Sequence, residues 1–148
     1  HAEEINKESE IFQIWFDPNI RETVTKEATY NDYNSDDFLT EEIDGSSIKK
    51  IVGNKSVMKM DSEGVNINLY KIPKDKSLKL VLDPEYIYSY FLIKGEIEID
   101  KDVISKGDFF KVSKESNLLL SSKEKSNLFE IKSPIRPSYP TYGERYSN

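Results

Sequence analysis

The sequence contains no cysteine. That absence excludes a disulfide scaffold, a thiolate zinc site and a cysteine nucleophile. Histidine is nearly as scarce, the single one being His1. An internal multi-histidine metal site and a Ser-His-Asp triad are therefore both excluded. No apolar run approaches the ~18 to 20 residues that a membrane span needs, and no apolar signal-peptide core is visible. Basic residues are outnumbered 21 to 27, for a net charge of −6. A nucleic-acid backbone calls for the opposite balance. Gly53 and Gly64 belong to no phosphate-cradling pattern, and neither an HExxH helix nor an EF-hand loop occurs. Adjacent carboxylates such as Asp36-Asp37 and Glu41-Glu42 read as solvated faces.

What remains is one acidic globular domain of 148 residues and 17.2 kDa, about the size of a single folding unit. The expected location is the cytoplasm. Hydrophobic residues are only 36% of the chain, but 11% aromatics supply bulk enough for a core. There is no initiator methionine, so His1 reads as a processed edge or as the first residue of a fragment.

Helical periodicity is weak throughout, and alternation dominates. A first strand is expected over Ile11–Phe16, with Phe12, Ile14 and Phe16 on one face and Asp17-Pro18-Asn19 as its stop. Residues 20–47 are polar and read as a long connection, with a helical turn near Asp36–Leu39 and a turn at Asp44-Gly45. Short punctuated strands follow over Ile48–Val52, Val65–Ile72, Ser77–Leu82, Tyr86–Ile93, Glu96–Ile99, Val103–Ile104, Phe109–Val112, Leu118–Leu120 and Asn127–Ile131. Turn signals every 8 to 12 residues or so are the mark of an all-β sandwich or barrel. The Pro- and Tyr-rich tail, residues 133–148, cannot form a central strand and is expected to lie extended across a surface.

Two segments resemble the cupin signatures. In Tyr90-Phe91-Leu92-Ile93-Lys94-Gly95-Glu96-Ile97, a buried strand runs into a glycine and an alternating strand returns as a hairpin. Ser105-Lys106-Gly107-Asp108-Phe109 is similar to the second signature, a Gly-Asp pair before a strand. The resemblance implies an all-β, cupin-type antiparallel β-sandwich, or jelly-roll barrel. Cupins hold a metal on imidazoles and a carboxylate, and those positions can be counted on this chain. The glutamate position falls on Tyr88, two histidine positions fall near Val81 to Pro84, and the last falls near Asn117 or Leu118. None is a metal ligand of the cupin type. The barrel is thus expected to be filled by Leu, Ile, Tyr and Phe.

The N-terminus adds a narrower resemblance. His1-Ala2-Glu3 followed by Phe12-Gln13-Ile14-Trp15 is similar to the pirin family, in which His-x-Glu closes the metal site of a first cupin and a Gln-(Leu/Ile)-Trp strand leads to a second. The resemblance implies the following layout. Residues 1–47 are the end of a preceding cupin and the connection, residues 48–132 the C-terminal cupin barrel, and residues 133–148 a tail. Of the family's metal ligands only His1 and Glu3 are matched. No catalytic residue and no cofactor are expected in this chain, though iron is implied for a full-length parent.

The leading functional expectation is a metal-free C-terminal cupin that supports or covers a metal-binding N-terminal cupin. One alternative is a part of a pirin-type quercetin dioxygenase whose last ligands are His1 and Glu3, with no quercetin oxidation by this chain alone. The other is a stand-alone small-ligand binder using the barrel mouth, which requires an open, partly polar cavity. The apolar inward faces of Ser77–Leu82 and Tyr86–Ile93 speak against a roomy one. Expected partners are the N-terminal cupin half and, through the exposed edge of residues 11–16, a second copy of the chain. Nucleic acid and membrane are not expected.

Overall fold

The computed structural model describes residues 7–146, with side chains through residue 144. Ten strands form two antiparallel sheets. They are β1 (Thr40–Ile43), β2 (Ser46–Val52), β3 (Asn66–Ile72), β4 (Ser77–Val81), β5 (Tyr86–Lys94), β6 (Glu96–Ile99), β7 (Asp102–Ser105), β8 (Phe109–Ser113), β9 (Asn117–Ser122) and β10 (Ser126–Pro134). One sheet runs β1-β2-β3-β10-β5-β8 and the other β4-β9-β6-β7. Two short helices, α1 (Ile20–Thr23) and α2 (Tyr142–Tyr146), flank the strands. Among the described residues no helix is long and apolar enough to cross a membrane.

Alternation explains the layering. In β5, Tyr88, Tyr90 and Leu92 point inward and are buried, while Ser89, Phe91 and Ile93 between them are only partly covered. In β4, Leu78 and Leu80 are buried and Val81 is 85% exposed. Together with Ile72, Ile97, Leu120 and Leu128 these inward residues form one core. Fully burying such a side chain contributes ~1.5 to 3 kcal/mol before conformational entropy is counted.

The nine strands expected from Ile48 onward all occur, each end within three residues of its expected place. The turn expected near Asp36–Leu39 is a single 3-10 turn over Ser35–Asp37. Three local readings are corrected. First, β1 lies inside the stretch read as connection. Its hairpin with β2 turns on Asp44 and Gly45, whose φ values of 50° and 74° fit a primed two-residue turn.

Second, Ile11–Phe16 forms no strand. The segment lies instead on the outer face of the six-stranded sheet. There the Phe12 ring meets Phe91 edge-on at 5.0 Å and stacks on Phe129 at 5.6 Å. Such pairs are worth ~0.5 to 1.5 kcal/mol beyond their burial. The edge-strand argument for self-association thus loses its strand, and what remains for it is exposed surface, with Trp15 at 78%.

Third, Gly95 is not a hairpin turn. β5 pairs with β10 and β8, whereas β6 pairs with β7 and β9, so the chain changes sheets at Gly95. Gly107-Asp108 makes another such change, from β7 back to β8. It is fixed by Gly107 N–H donating to Leu92 O at 2.8 Å and Leu92 N–H donating to Asp108 O at 3.0 Å.

The reading of residues 133–148 as an extended surface tail is also corrected in part: Ser133 and Pro134 still pair with Ile87 and Tyr86 at the end of the central strand β10, where an N–H is not needed at the strand's last residue, and Tyr142–Tyr146 is a short helix. Tyr139 is buried and its hydroxyl donates to Asp17 O at 2.8 Å, while Tyr142 N–H donates to the Asp17 carboxylate.

Candidate functional site

β10 turns an inward row toward the barrel that is mostly polar: Ser126, Leu128, Glu130 and then Lys132. Its register sets Leu128 opposite Tyr70 and Leu92, Glu130 opposite Asn68 and Tyr90, and Lys132 opposite Asn66 and Tyr88. The barrel interior therefore changes character in layers, from apolar at Leu128 to polar at Glu130 and Lys132. A cavity of about 350 Å³ opens at this polar end, lined by Glu130, Lys132, Asn68, Tyr70 and Tyr88 on the six-stranded sheet and by Leu80 and Leu82 opposite. Lys50, Lys55 and Glu41 also line it.

Glu130 is 3% exposed. Its Oε1 accepts from Asn68 Nδ2 at 2.6 Å and from Tyr70 OH at 3.2 Å, and its Oε2 receives only a longer contact from Tyr70 OH at 3.3 Å. Among the described residues no ammonium or guanidinium group forms an ion pair with it. A carboxylate offers about four lone-pair sites, so this one retains acceptor capacity. Tyr90 lies beside it, fully buried, and its hydroxyl has no hydrogen-bond partner. Burial first, and the Glu130 charge second, push the Tyr70 and Tyr90 phenols far above their ordinary range. Both rings therefore stay neutral and can act as hydrogen-bond donors.

The rim has the opposite charge. Lys132 Nζ sits 3.9 Å over the Tyr86 ring and 5.6 Å from the Tyr88 ring centre, a cation–π arrangement. Lys50 and Lys55 share Glu41 at 3.8 and 3.6 Å. Three ammonium groups thus face two carboxylates around one cavity.

The positions counted for cupin ligands do converge. Leu80 pairs with Leu118 and Val81 with Asn117 across β4 and β9. Val81, Leu82 and Tyr88 line the cavity, and Tyr88 OH accepts from Asp83 N–H at 2.8 Å. These positions carry apolar side chains, the Tyr88 phenol, the Asp83 carboxylate and the Asn117 amide but no imidazole, and a divalent iron site is not matched by these donors. Among the described residues no three His, Cys, Asp or Glu side chains cluster around a metal-sized point. His1 and Glu3 lie outside the described residues. The expectation of a closed, apolar barrel is corrected: its mouth is open and polar. Inward apolar residues such as Leu78 and Leu92 fill the lower barrel, but the polar groups at the mouth come largely from β3 and β10.

No family model matches this sequence, and no curated protein matches it. Solved structures do. The chain resembles a quercetin 2,3-dioxygenase from Acinetobacter baumannii, at 16% identity and a TM-score of 0.62, over 68% of this chain and 38% of that one. It resembles an RmlC-like cupin from Shewanella frigidimarina at 16% identity and 0.55, over 73% and 94%. It resembles a bacterial pirin from Escherichia coli, solved with nickel(II), at 16% identity and 0.50, over 55% and 34%. This chain spans just over a third of the dioxygenase and pirin chains it matches. At these identities the likeness is one of fold: the chain is a jelly-roll β-sandwich of the cupin type.

Proposed function

We propose that this chain is a cupin module whose barrel holds no metal and whose mouth receives a small polar molecule. The observation that carries the reading is Glu130, a buried carboxylate with spare acceptor capacity, facing a cavity of about 350 Å³. Small-molecule sites are typically concave, ~300 to 1,000 Å³, with a few convergent polar groups. The positions counted for cupin metal ligands fall on Tyr88, near Val81 to Pro84, and near Asn117 or Leu118, and none of them carries a histidine. Iron does not fit such a donor set, so no step of oxygen chemistry is assigned to this barrel.

A wider setting is proposed with it: a pirin-like protein in which this module supports a metal-binding N-terminal cupin. The fold likeness to the pirin and the dioxygenase supports that setting, as does the His1-x-Glu3 and Gln13-Ile14-Trp15 pattern. In it, His1 and Glu3 would complete the neighbouring cupin's iron site, and a quercetin 2,3-dioxygenase-like activity would belong to the parent. Two further histidines encoded upstream of His1 would support this setting.

Elemental analysis after chelator-free purification tests the metal-free reading. We expect no stoichiometric iron, nickel or zinc, and no calorimetric uptake of nickel(II) or iron(II). One metal per chain, retained after His1 is removed, would overturn it.

A further inference from the structure

The charge layout of the mouth narrows the class of ligand. Glu130 lies at the inner end of the cavity, buried and without a cationic partner among the described residues. Lys132, two residues further along the same face of β10, carries its ammonium toward the rim rings and forms no ion pair among the described residues. At ~3.4 Å per residue, the two positions are ~7 Å apart along the strand. One negative group within and one positive group without, both lacking an ionic partner, complement a molecule bearing the reverse pair.

We infer that the mouth binds a small zwitterion of the free amino acid type, with its ammonium on Glu130 and its carboxylate on Lys132. The inference deepens the ligand-binding reading above and rests on it. The chemistry at each end is specific. An ammonium has three donors and no acceptor, which suits Glu130, whose Oε2 receives a long Tyr70 contact and has the Tyr90 hydroxyl nearby but no cation. Tyr70 and Asn68 each donate to Glu130 and so hold the carboxylate in place. Tyr88 and Lys132 both line the cavity, and the Lys132 ammonium is steadied over the Tyr86 ring. A bare cation would satisfy Glu130 but leave Lys132 unanswered, and a bare anion would meet the buried carboxylate. Separation of the two ligand charges by one to three carbons suits the spacing along β10, because the lysine stem is flexible.

The test is calorimetric titration of the intact chain with glycine, β-alanine and 4-aminobutyrate at fixed ionic strength and neutral pH. Butylamine, butyrate and glycerol serve as controls. We expect one of the zwitterions to bind at least about tenfold more tightly than all three controls. Glu130→Gln and Lys132→Met should each weaken that zwitterion about tenfold or more, with the far-ultraviolet dichroism of the native fold retained. If Glu130→Gln fails to fold, Lys132→Met and the native series decide the matter. Equal binding of butylamine, butyrate or glycerol would overturn the inference, as would no heat from any zwitterion at tens of millimolar. Uptake of nickel(II) into the barrel would instead remove the metal-free reading on which the inference stands. A metal-free barrel that ignores all three zwitterions sinks the inference alone.

Discussion

Gly95→Ala is expected to lower the unfolding free energy by ~3 to 5 kcal/mol, summing a left-handed backbone penalty and a forced overlap. Gly95 has φ +90°, and an added Cβ would stand 2.2 Å from Ser126 Oγ, 2.7 Å from Ser126 Cα and 2.8 Å from Lys125 O. Two of those three atoms belong to the backbone and cannot rotate away. Ser126 is itself buried, and its hydroxyl donates to Glu124 O and to Glu96 O. The chain changes sheets at this point, so any displacement is felt by β5, β6 and the start of β10. For a domain whose total stability is ~5 to 15 kcal/mol, the loss should lower the melting temperature by roughly 10 °C. Gly107→Ala is the control. Its φ is +94°, yet nothing lies within 4 Å of the added Cβ. Only the backbone penalty applies there, ~1 kcal/mol. Chemical denaturation of both variants measures the difference, and equal losses would show that crowding at Gly95 plays no part.

Raising the pH above about 10 is expected to unfold the protein steeply. Tyr70 and Tyr90 hold their protons in the folded state well beyond the ordinary tyrosine range, through burial and the Glu130 charge. In the unfolded chain both ionise near 10. Below that pH the two states bind the same phenolic protons, and the tyrosines leave stability unchanged. Above it the unfolded chain releases two protons that the folded chain keeps, so unfolding is favoured as pH rises. Each group contributes up to ~1.36 kcal/mol per pH unit, or ~2.7 kcal/mol per unit for the pair. By about pH 12 roughly 5 kcal/mol is lost, a large share of a typical total. Tyrosinate absorbance followed beside dichroism checks this: two of the nine tyrosines should ionise only as the fold is lost. Tyr90→Phe should halve the slope at little cost near neutral pH, since its hydroxyl has no hydrogen-bond partner. Tyr70→Phe should halve the slope too but cost ~1 to 3 kcal/mol, because it removes a donor from buried Glu130. Reversible titration of all nine tyrosines near pH 10 with the native dichroism intact would contradict the account.

The sandwich was legible because period-two alternation is a local property. Ser77–Val81 and Tyr86–Lys94 show which side chains face the core before any partner strand is known. What alternation lacks is information about edges. Ile11–Phe16 alternates as well as any true strand, but it forms no ladder: the Phe12 ring rests on Phe91 and Phe129, and the other apolar side chains of the segment stay largely exposed. Thr40–Ile43 was hidden by its polar composition, although Asp44-Gly45 is a strong hairpin signal that, given weight, locates both of its strands. Glu130 and Asn68 were missed for a related reason. A polar residue on an inward position reads as noise in one strand, and only the pairing of β3 with β10 shows that the two interruptions coincide. The count from Gly95 to Tyr88 and Val81 did reach the barrel mouth. It could not reach the carboxylate, which arrives from a strand some forty residues later.

The position of β10 also governs the order in which the chain can be assembled. It is the last of the ten described strands to be made, yet it lies between β3 and β5, with partners some sixty and forty residues earlier in the chain. During synthesis, β1-β2-β3 and β5-β8 must wait as two separate ribbons, each with an open edge, until residue 134 has emerged from the ribosome. Closure over such long loops is slow compared with local pairing, and open edges in the interval invite pairing with other nascent chains. A stop codon between β8 and β10 therefore yields two unjoined ribbons in place of a slightly shortened barrel, and the translation of β10 decides whether the sandwich closes.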